Sequence, residues 1–205
     1  MPNQNIINFF LNKKINTISH DKEINRASVS IFIFNPSRIY ESEVLLIQRA
    51  KNENDPWSGH MAFPGGRYQN SDESILNTAV RETLEEIGFD IKKEFSNFEL
   101  TRNNIIPRLS DVETLKILEK ITVVTPFLFG LEKKPKIKMN KEVDQFFWVP
   151  LRFFLNSKNR KLRNFNINGQ EIQLPCYFYK HKIIWGITLS MIDEITRQID
   201  QLFSE

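Results

Sequence analysis

Residues 81–88 read Arg81-Glu82-Thr83-Leu84-Glu85-Glu86-Ile87-Gly88, with three glutamates in five consecutive positions. Carboxylates crowded this closely repel one another unless a cation holds them together. Hard divalent cations such as Mg²⁺ take oxygen ligands and often bind through carboxylates together with substrate phosphates. A glycine-rich run, Phe63-Pro64-Gly65-Gly66, stands upstream of the glutamates. Glycines let a backbone approach phosphates closely. The two segments together suggest metal-assisted chemistry on a phosphorylated substrate.

A helix must position the glutamates. Ser71 or Asp72 can cap its start, and Asp72 and Glu73 suit the positive end of a helix dipole. Leu76, Val80, Leu84 and Ile87 recur at steps of three and four and form an apolar stripe. Gly88 follows as a stop. At roughly 100° per residue, Arg81, Glu82, Glu85 and Glu86 fan over an arc of about 140° on the other face. Taken alone, such a charged run reads as a solvated face with pairs such as Arg81 to Glu85. The Gly-Gly loop at a set distance before it turns the reading towards a site.

The segment from Gly66 to Phe89 resembles the Nudix box of pyrophosphate hydrolases, GX5EX7REUXEEXGU, where U is bulky and apolar. Thr83 occupies one U position. Six residues rather than five separate Gly66 from Glu73, and seven then precede Arg81. Alternatively, Asp72 takes the glutamate position and the extra residue lies in the helix. The coenzyme A pyrophosphatase branch of the Nudix superfamily has the same one-residue expansion. Its upstream pattern, LLTxR(S/A)x3Rx3Gx3FPGG, is similar to Leu45-Leu46-Ile47-Gln48-Arg49-Ala50 and Gly59 to Gly66 here. Ile47 replaces the threonine, Asn54 stands at the second arginine, and Arg49 to Gly59 is one residue longer. Glu142-Val143, Phe147 to Leu151 and Ile184-Trp185-Gly186-Ile187-Thr188 resemble later parts of that branch.

The resemblance implies an α/β/α sandwich with a mixed sheet. It also implies hydrolysis of a diphosphate in a nucleoside diphosphate derivative, coenzyme A or acyl-coenzyme A being favoured. NADH, ADP-ribose and dinucleoside polyphosphates are the alternatives within the family. A noncatalytic nucleotide-binding domain is the alternative outside catalysis. Mapped by position, Glu82, Glu85 and Glu86 become ligands for Mg²⁺ or Mn²⁺, and Arg81 orients a glutamate. Arg49, Gly65, Gly66 and Arg67 become substrate contacts. Glu142 is the candidate general base, with Asp144 two residues on as the other. His60 reads as a structural hydrogen bonder, and Trp148 and Trp185 read as core.

The rest of the chain supports one domain, and its strands interspersed with a few helices indicate α/β or α+β. The 205 residues are 40% hydrophobic and 26% charged, with 17 Phe and three Trp. Residues 1–25 read as an N-terminal helical extension and 26–205 as the catalytic domain. Strands are expected at Ser28–Phe34, Glu43–Gln48, Phe98–Leu100, Ile121–Leu128 and Gln145–Val149. Ile172–Tyr179 and Lys182–Ile184 suggest a hairpin, and Val112–Leu118 a short helix. Ile187, Met191, Ile195 and Ile199 mark a terminal helix from Trp185 to Phe203. The net charge of +3 is too mild to argue for nucleic acid, and the run Lys133 to Lys138 reads as a solvated loop. Cys176 has no partner for an intrachain disulfide, which suits a reducing cytoplasm. No apolar run approaches membrane-spanning length. The expected partner is a small nucleotide substrate, with no nucleic acid and no membrane; a homodimer is compatible with the sequence.

Overall fold

The structure, a computed structural model, describes residues 5–11, 13–18, 24–53, 57–95, 106–114, 121–167 and 169–204. In chain order the elements are α1 (Ile6–Leu11), β1 (Asn25–Phe34), β2 (Glu43–Arg49), β3 (Met61–Ala62), β4 (Gly65–Arg67), α2 (Ile75–Ile87) and α3 (Ile91–Glu94). They continue with β5 (Val112–Glu113), β6 (Thr122–Leu131), β7 (Val143–Pro150), α4 (Leu151–Leu155), β8 (Arg160–Ile167), β9 (Gln170–Tyr179), β10 (Lys182–Ile184) and α5 (Gly186–Ser204). The fold is α/β with a mixed sheet, as expected.

Strand β1 shows why two layers of helix are needed. Its Ile31 and Ile33 face one side, and Phe32 faces the other; all three are fully buried. Successive strand side chains point to opposite faces, so a strand apolar on both faces must be covered twice. On one side Ile31, Ile33, Val44 and Leu46 pack with Met191, Ile192, Ile195 and Ile199 of α5 and with Ile6 and Phe10 of α1. On the other, Phe32, Leu45 and Ile47 pack with Ala79, Val80 and Ile87 of α2. Each such side chain contributes roughly 1.5–3 kcal/mol of transfer free energy.

The main sheet is forked. β6 runs parallel along the whole of β1, from Asn25↔Thr122 to Phe34↔Leu131. The other edge of β1 is shared: Ile33 and Phe34 pair with β2, while Ala27 to Val29 pair with β4. β2 is shared in the same way. β7 takes one edge, and on the other Glu43 and Val44 meet β1 while Ile47 and Gln48 meet β3. β1 and β2 therefore diverge after two residue pairs, and the β3–β4 segment, Met61 to Arg67, sits in the fork. That segment carries the glycine-rich run.

A second sheet, ordered β10-β9-β8, stands apart from the first. The turn between β9 and β10 holds Lys180 and His181 at φ of 46° and 65°, the two left-handed positions of a tight hairpin. This matches the expected hairpin. Strand β8 was not expected, because Arg160-Lys161-Leu162-Arg163-Asn164-Phe165 offers little apolar alternation. It is held by pairing to β9 from Arg160↔Tyr177 to Ile167↔Gln170. Val112 and Glu113 form a strand, paired to Val124 and Val123 of β6, and not the start of a helix. The Val-Glu pair supplies the alternating pattern that a strand edge requires, and β6 supplies the partner. Residues 115–118 of that expectation, and the strand expected at Phe98–Leu100, lie outside the described residues.

Candidate functional site

Helix α2 begins two or three residues later than its sequence suggested. Ser74 caps it, its side chain accepting from the Asn77 N–H at 3.2 Å, and Gly88 ends it in the left-handed conformation. The carbonyls of its last turn are met from outside: Lys138 N–H donates to Ile87 O and Asn140 N–H to Glu86 O, both at 2.9 Å. The buried face also differs from the expected stripe. Ala79, Val80, Thr83, Glu86 and Ile87 are buried, whereas Leu84 is 48% exposed. The helix is rotated so that a glutamate, not a leucine, faces the sheet. Thr83 fits there because its hydroxyl pairs with Ser30 Oγ at 2.8 Å, and Ser30 donates to Ala79 O at 3.3 Å. A bulky apolar side chain at that position is replaced by a satisfied polar pair.

Glu86 is aimed at the glycine run. Gly65 N–H donates to Glu86 Oε2 at 2.8 Å, and Arg49 Nη1 lies 3.7 Å from Glu86 Oε1. Gly65 has φ +154°, and a Cβ there would collide with the backbone of Ser28 and Val29. A Cβ on Gly66 would collide with the carboxylate of Glu82. The two glycines thus serve different ends: Gly65 lets β4 seat against β1, and Gly66 leaves room for a carboxylate.

Burial pushes the Glu86 carboxyl up to about 8, with the Glu82 and Glu142 charges adding to it and the Gly65 amide and Arg49 opposing it. Burial also raises Glu82, against the pull of Arg81. Desolvated, mutually repelling oxygens are a donor set that a hard cation would relieve, and oxygen is the donor that Mg²⁺ and Mn²⁺ take. The residues present fit such an ion. Among the described residues, no three Asp, Glu, His or Cys side chains converge as a ready-made cage. Glu82 and Glu86 line one cavity together, while Glu85, directly before Glu86, is half-exposed and held by Arg81.

Arg81 organises the carboxylates. Its Nη1 donates to Glu82 Oε1 at 2.8 Å and to Glu85 Oε2 at 3.2 Å, and its Nη2 donates to Arg67 O at 3.0 Å. Its Nε and Nη2 grip Asp72 at 2.8 and 3.0 Å in a two-pronged pair. Asp72 also accepts from Gln69 N–H and Thr78 Oγ1, both at 2.9 Å. These bonds, the Arg81 pair foremost, hold its carboxyl down at about 2. Glu73, by contrast, is exposed and bonds the Asn77 side chain. Of the two ways to place the box's first acid, the contacts favour Asp72.

The site opens into a cavity of about 1080 Å³ within the fork of the sheet. Glu82, Glu86 and Glu142 line it, as do Gly65, Gly66 and Arg67. Arg49 lines it too, and so do Lys51 and Lys141, which the sequence did not single out. Their signal was adjacency: each lies one or two residues from a residue that was. Glu142 sits in the turn before β7, its N–H bonded to Asn140 Oδ1 at 2.8 Å and its carbonyl accepting from Ala50 N–H at 2.8 Å. Asp144, the other candidate base, is exposed on β7 and is not part of the cavity wall.

Trp148 packs against Phe34 as expected of a core residue, with Lys134 over its ring. Trp185 is half-buried and faces the cavity, as do His60 and Trp57. The far wall comes from β9 and α5, through Leu174, Pro175 and Ile187. Thr188 Oγ1 ties α5 to the fork by donating to Met61 O at 3.0 Å. Asp193, also in that wall, is gripped by Arg160 of β8 at 2.6 and 2.8 Å. Nothing in the local sequence of these segments announces a shared wall; only the tertiary packing brings them together.

Residues 24–167 match the NUDIX domain family model. A probable nudix hydrolase of Schizosaccharomyces pombe is 34% identical over 167 residues, covering 82% of this chain and 53% of that protein. The mitochondrial coenzyme A diphosphatase of Homo sapiens is 30% identical over 145 residues, covering 69% of this chain and 56% of that one. The chain spans little more than half the length of these curated relatives. A MutT/nudix family protein from Enterococcus faecalis shares the fold at a TM-score of 0.53 and 17% identity, covering 89% of this chain and 65% of that one.

Proposed function

The chain belongs to the Nudix family, and from that premise we propose that it hydrolyses the diphosphate of coenzyme A or acyl-coenzyme A. The products are 3′,5′-ADP and 4′-phosphopantetheine or its acyl form. One observation carries the proposal: buried Glu86 and partly buried Glu82 stand against Gly65 and Gly66 at the wall of a cavity lined also by Arg49, Lys51, Arg67 and Lys141. A desolvated acidic pair beside cationic side chains suits a substrate that brings its own negative charge together with a metal ion. The one extra residue between Asp72 and Arg81, eight where the box has seven, and the likeness to a coenzyme A diphosphatase support the coenzyme A branch.

Glu82 and Glu86 would hold Mg²⁺ or Mn²⁺, with Glu85 reaching in from the position before Glu86 and a carbonyl near Gly66 beside them. Such an ion supplies Lewis-acid polarisation and charge neutralisation of the diphosphate. Mg²⁺ commonly takes one or two carboxylates plus phosphate and water, so a complete protein cage is not required. Arg81 keeps Glu82 and Glu85 in place. The cationic side chains orient the diphosphate. Water forms a bond to one phosphorus, its proton passes to the Glu142 carboxylate, and the bridging oxygen leaves on the other phosphate with the bonding pair.

A hydrolysis panel with Mg²⁺ and Mn²⁺ tests this, using coenzyme A, acyl-coenzyme A, NADH, ADP-ribose and dinucleoside polyphosphates. Cleavage of coenzyme A or its acyl form at the diphosphate is expected. Cleavage of the others with both of these untouched would make the substrate wrong. Glu82→Gln and Glu86→Gln should each lower kcat by at least about 100-fold while the circular dichroism spectrum is unchanged. Full activity in either variant removes the metal assignment.

A further inference from the structure

Beyond residue 167, where the family match ends, the chain supplies the cavity wall facing the glutamates. Trp185 is part of that wall. Its indole stacks on Phe165 of β8, with ring centroids 4.1 Å apart and planes 15° apart. Phe165 is not part of the cavity lining, so it backs the indole from behind. The His60 ring meets Trp185 at 5.2 Å and 64°, and both line the cavity with Trp57. His60 N–H donates to Trp57 O at 3.1 Å, which fixes the turn that carries the two rings.

Two rings from distant segments therefore meet in the cavity wall, Trp57 shares that lining, and Trp185 is held by a fourth ring from outside. An aliphatic lining would be enough to receive a flexible apolar arm. Flat rings with electron-rich faces and positive edges favour another flat ring, offset-stacked or edge-on. Because Phe165 already fixes Trp185, a ligand does not have to order it on binding.

We propose that Trp57, His60 and Trp185 form a nucleobase subsite, in which the purine of the substrate stacks across the cavity from the diphosphate site. This rests on the nucleoside-diphosphate reading of the same cavity and adds where the base lies. Stacking uses the face that every purine has, so the subsite recognises planarity rather than a hydrogen-bond pattern.

AMP and ribose 5-phosphate share sugar and phosphate and differ by the base, so calorimetric titration of the full chain with each isolates the ring. AMP is expected to bind about tenfold tighter or more. Trp185→Ala should abolish that advantage and leave ribose 5-phosphate affinity unchanged. Trp57→Leu lies in a loop and should reduce the ratio several-fold without lowering the melting temperature, so the proposal stays open to test if Trp185→Ala does not fold. A merely structural role would weaken both ligands together and leave the ratio alone. The subsite is overturned if AMP binds no better than ribose 5-phosphate, if neither binds, or if folded variants keep the wild-type ratio. Loss of 4′-phosphopantetheine binding in Trp185→Ala, with AMP unaffected, would instead give the rings to the other half of the substrate. Binding is read without turnover. Uncleaved coenzyme A with the expected ratios defeats only the proposed substrate, and cleaved coenzyme A with unchanged ratios defeats only the subsite.

Discussion

Two neighbouring glycines carry opposite burdens, and substitution should separate them. Gly66→Ala drives a methyl into the end of a side chain, the Glu82 carboxylate. That end can swing aside, so the melting temperature should change little while divalent-cation affinity and turnover fall by about tenfold or more. Gly65→Ala drives a methyl into the backbone of β1 at a φ that side chains rarely adopt. It should destabilise the fold by about 1–3 kcal/mol in urea denaturation, with activity lost as a consequence. Asp72 gives a pH-dependent test. Its folded-state carboxyl is held near 2 against an ordinary 3.8. A depressed carboxyl contributes stability above its unfolded value and loses it as pH falls through the folded one. Wild type should therefore exceed Asp72→Asn by about 2 kcal/mol at pH 7, with the gap closing between about pH 4 and pH 2. A gap that persists at pH 2 would show that the Arg81 pair is not its source. Arg81 and the glutamates were legible from type and spacing alone. Asp72 and Glu73 were not distinguishable, because only one of two adjacent acids can turn inwards and the choice is made by the reach of Arg81.

At the scale of elements, a buried hydroxyl ties α5 to the fork. Thr188→Val keeps the shape of the side chain but leaves the Met61 carbonyl without that donor. A loss of about 1–3 kcal/mol in stability is expected, measured by urea denaturation. The strands with both faces apolar, β1, β2 and β6, could be read from the sequence because burial on two sides demands a continuous apolar run. β8 could not, since its residues are mostly exposed and its geometry comes from pairing with β9. The rotation of α2 was misread for a related reason. Periodicity marks Leu84 as core, yet Glu86 must lie against Gly65, and the helix cannot present both.

For the whole molecule, the division of labour follows the layers. One helix layer supplies Arg81, Glu82 and Glu86, the forked sheet with its loops supplies the glycines and the cations, and the other helix layer with the small sheet supplies the far wall. Among the described residues, no helix is long and apolar enough to cross a membrane. The chemistry was visible in one continuous stretch of about two dozen residues. The wall proposed for recognition was not, because its parts meet only after folding. The bond from Thr188 to Met61 spans 127 positions of the chain. A ribosome delivers the N-terminal end first, so the glutamates and glycines emerge well before the helix that walls them in. Until that helix docks, the nascent chain carries its glutamates and glycines without the wall opposite them, and the cavity closes only after about a hundred further residues have been added.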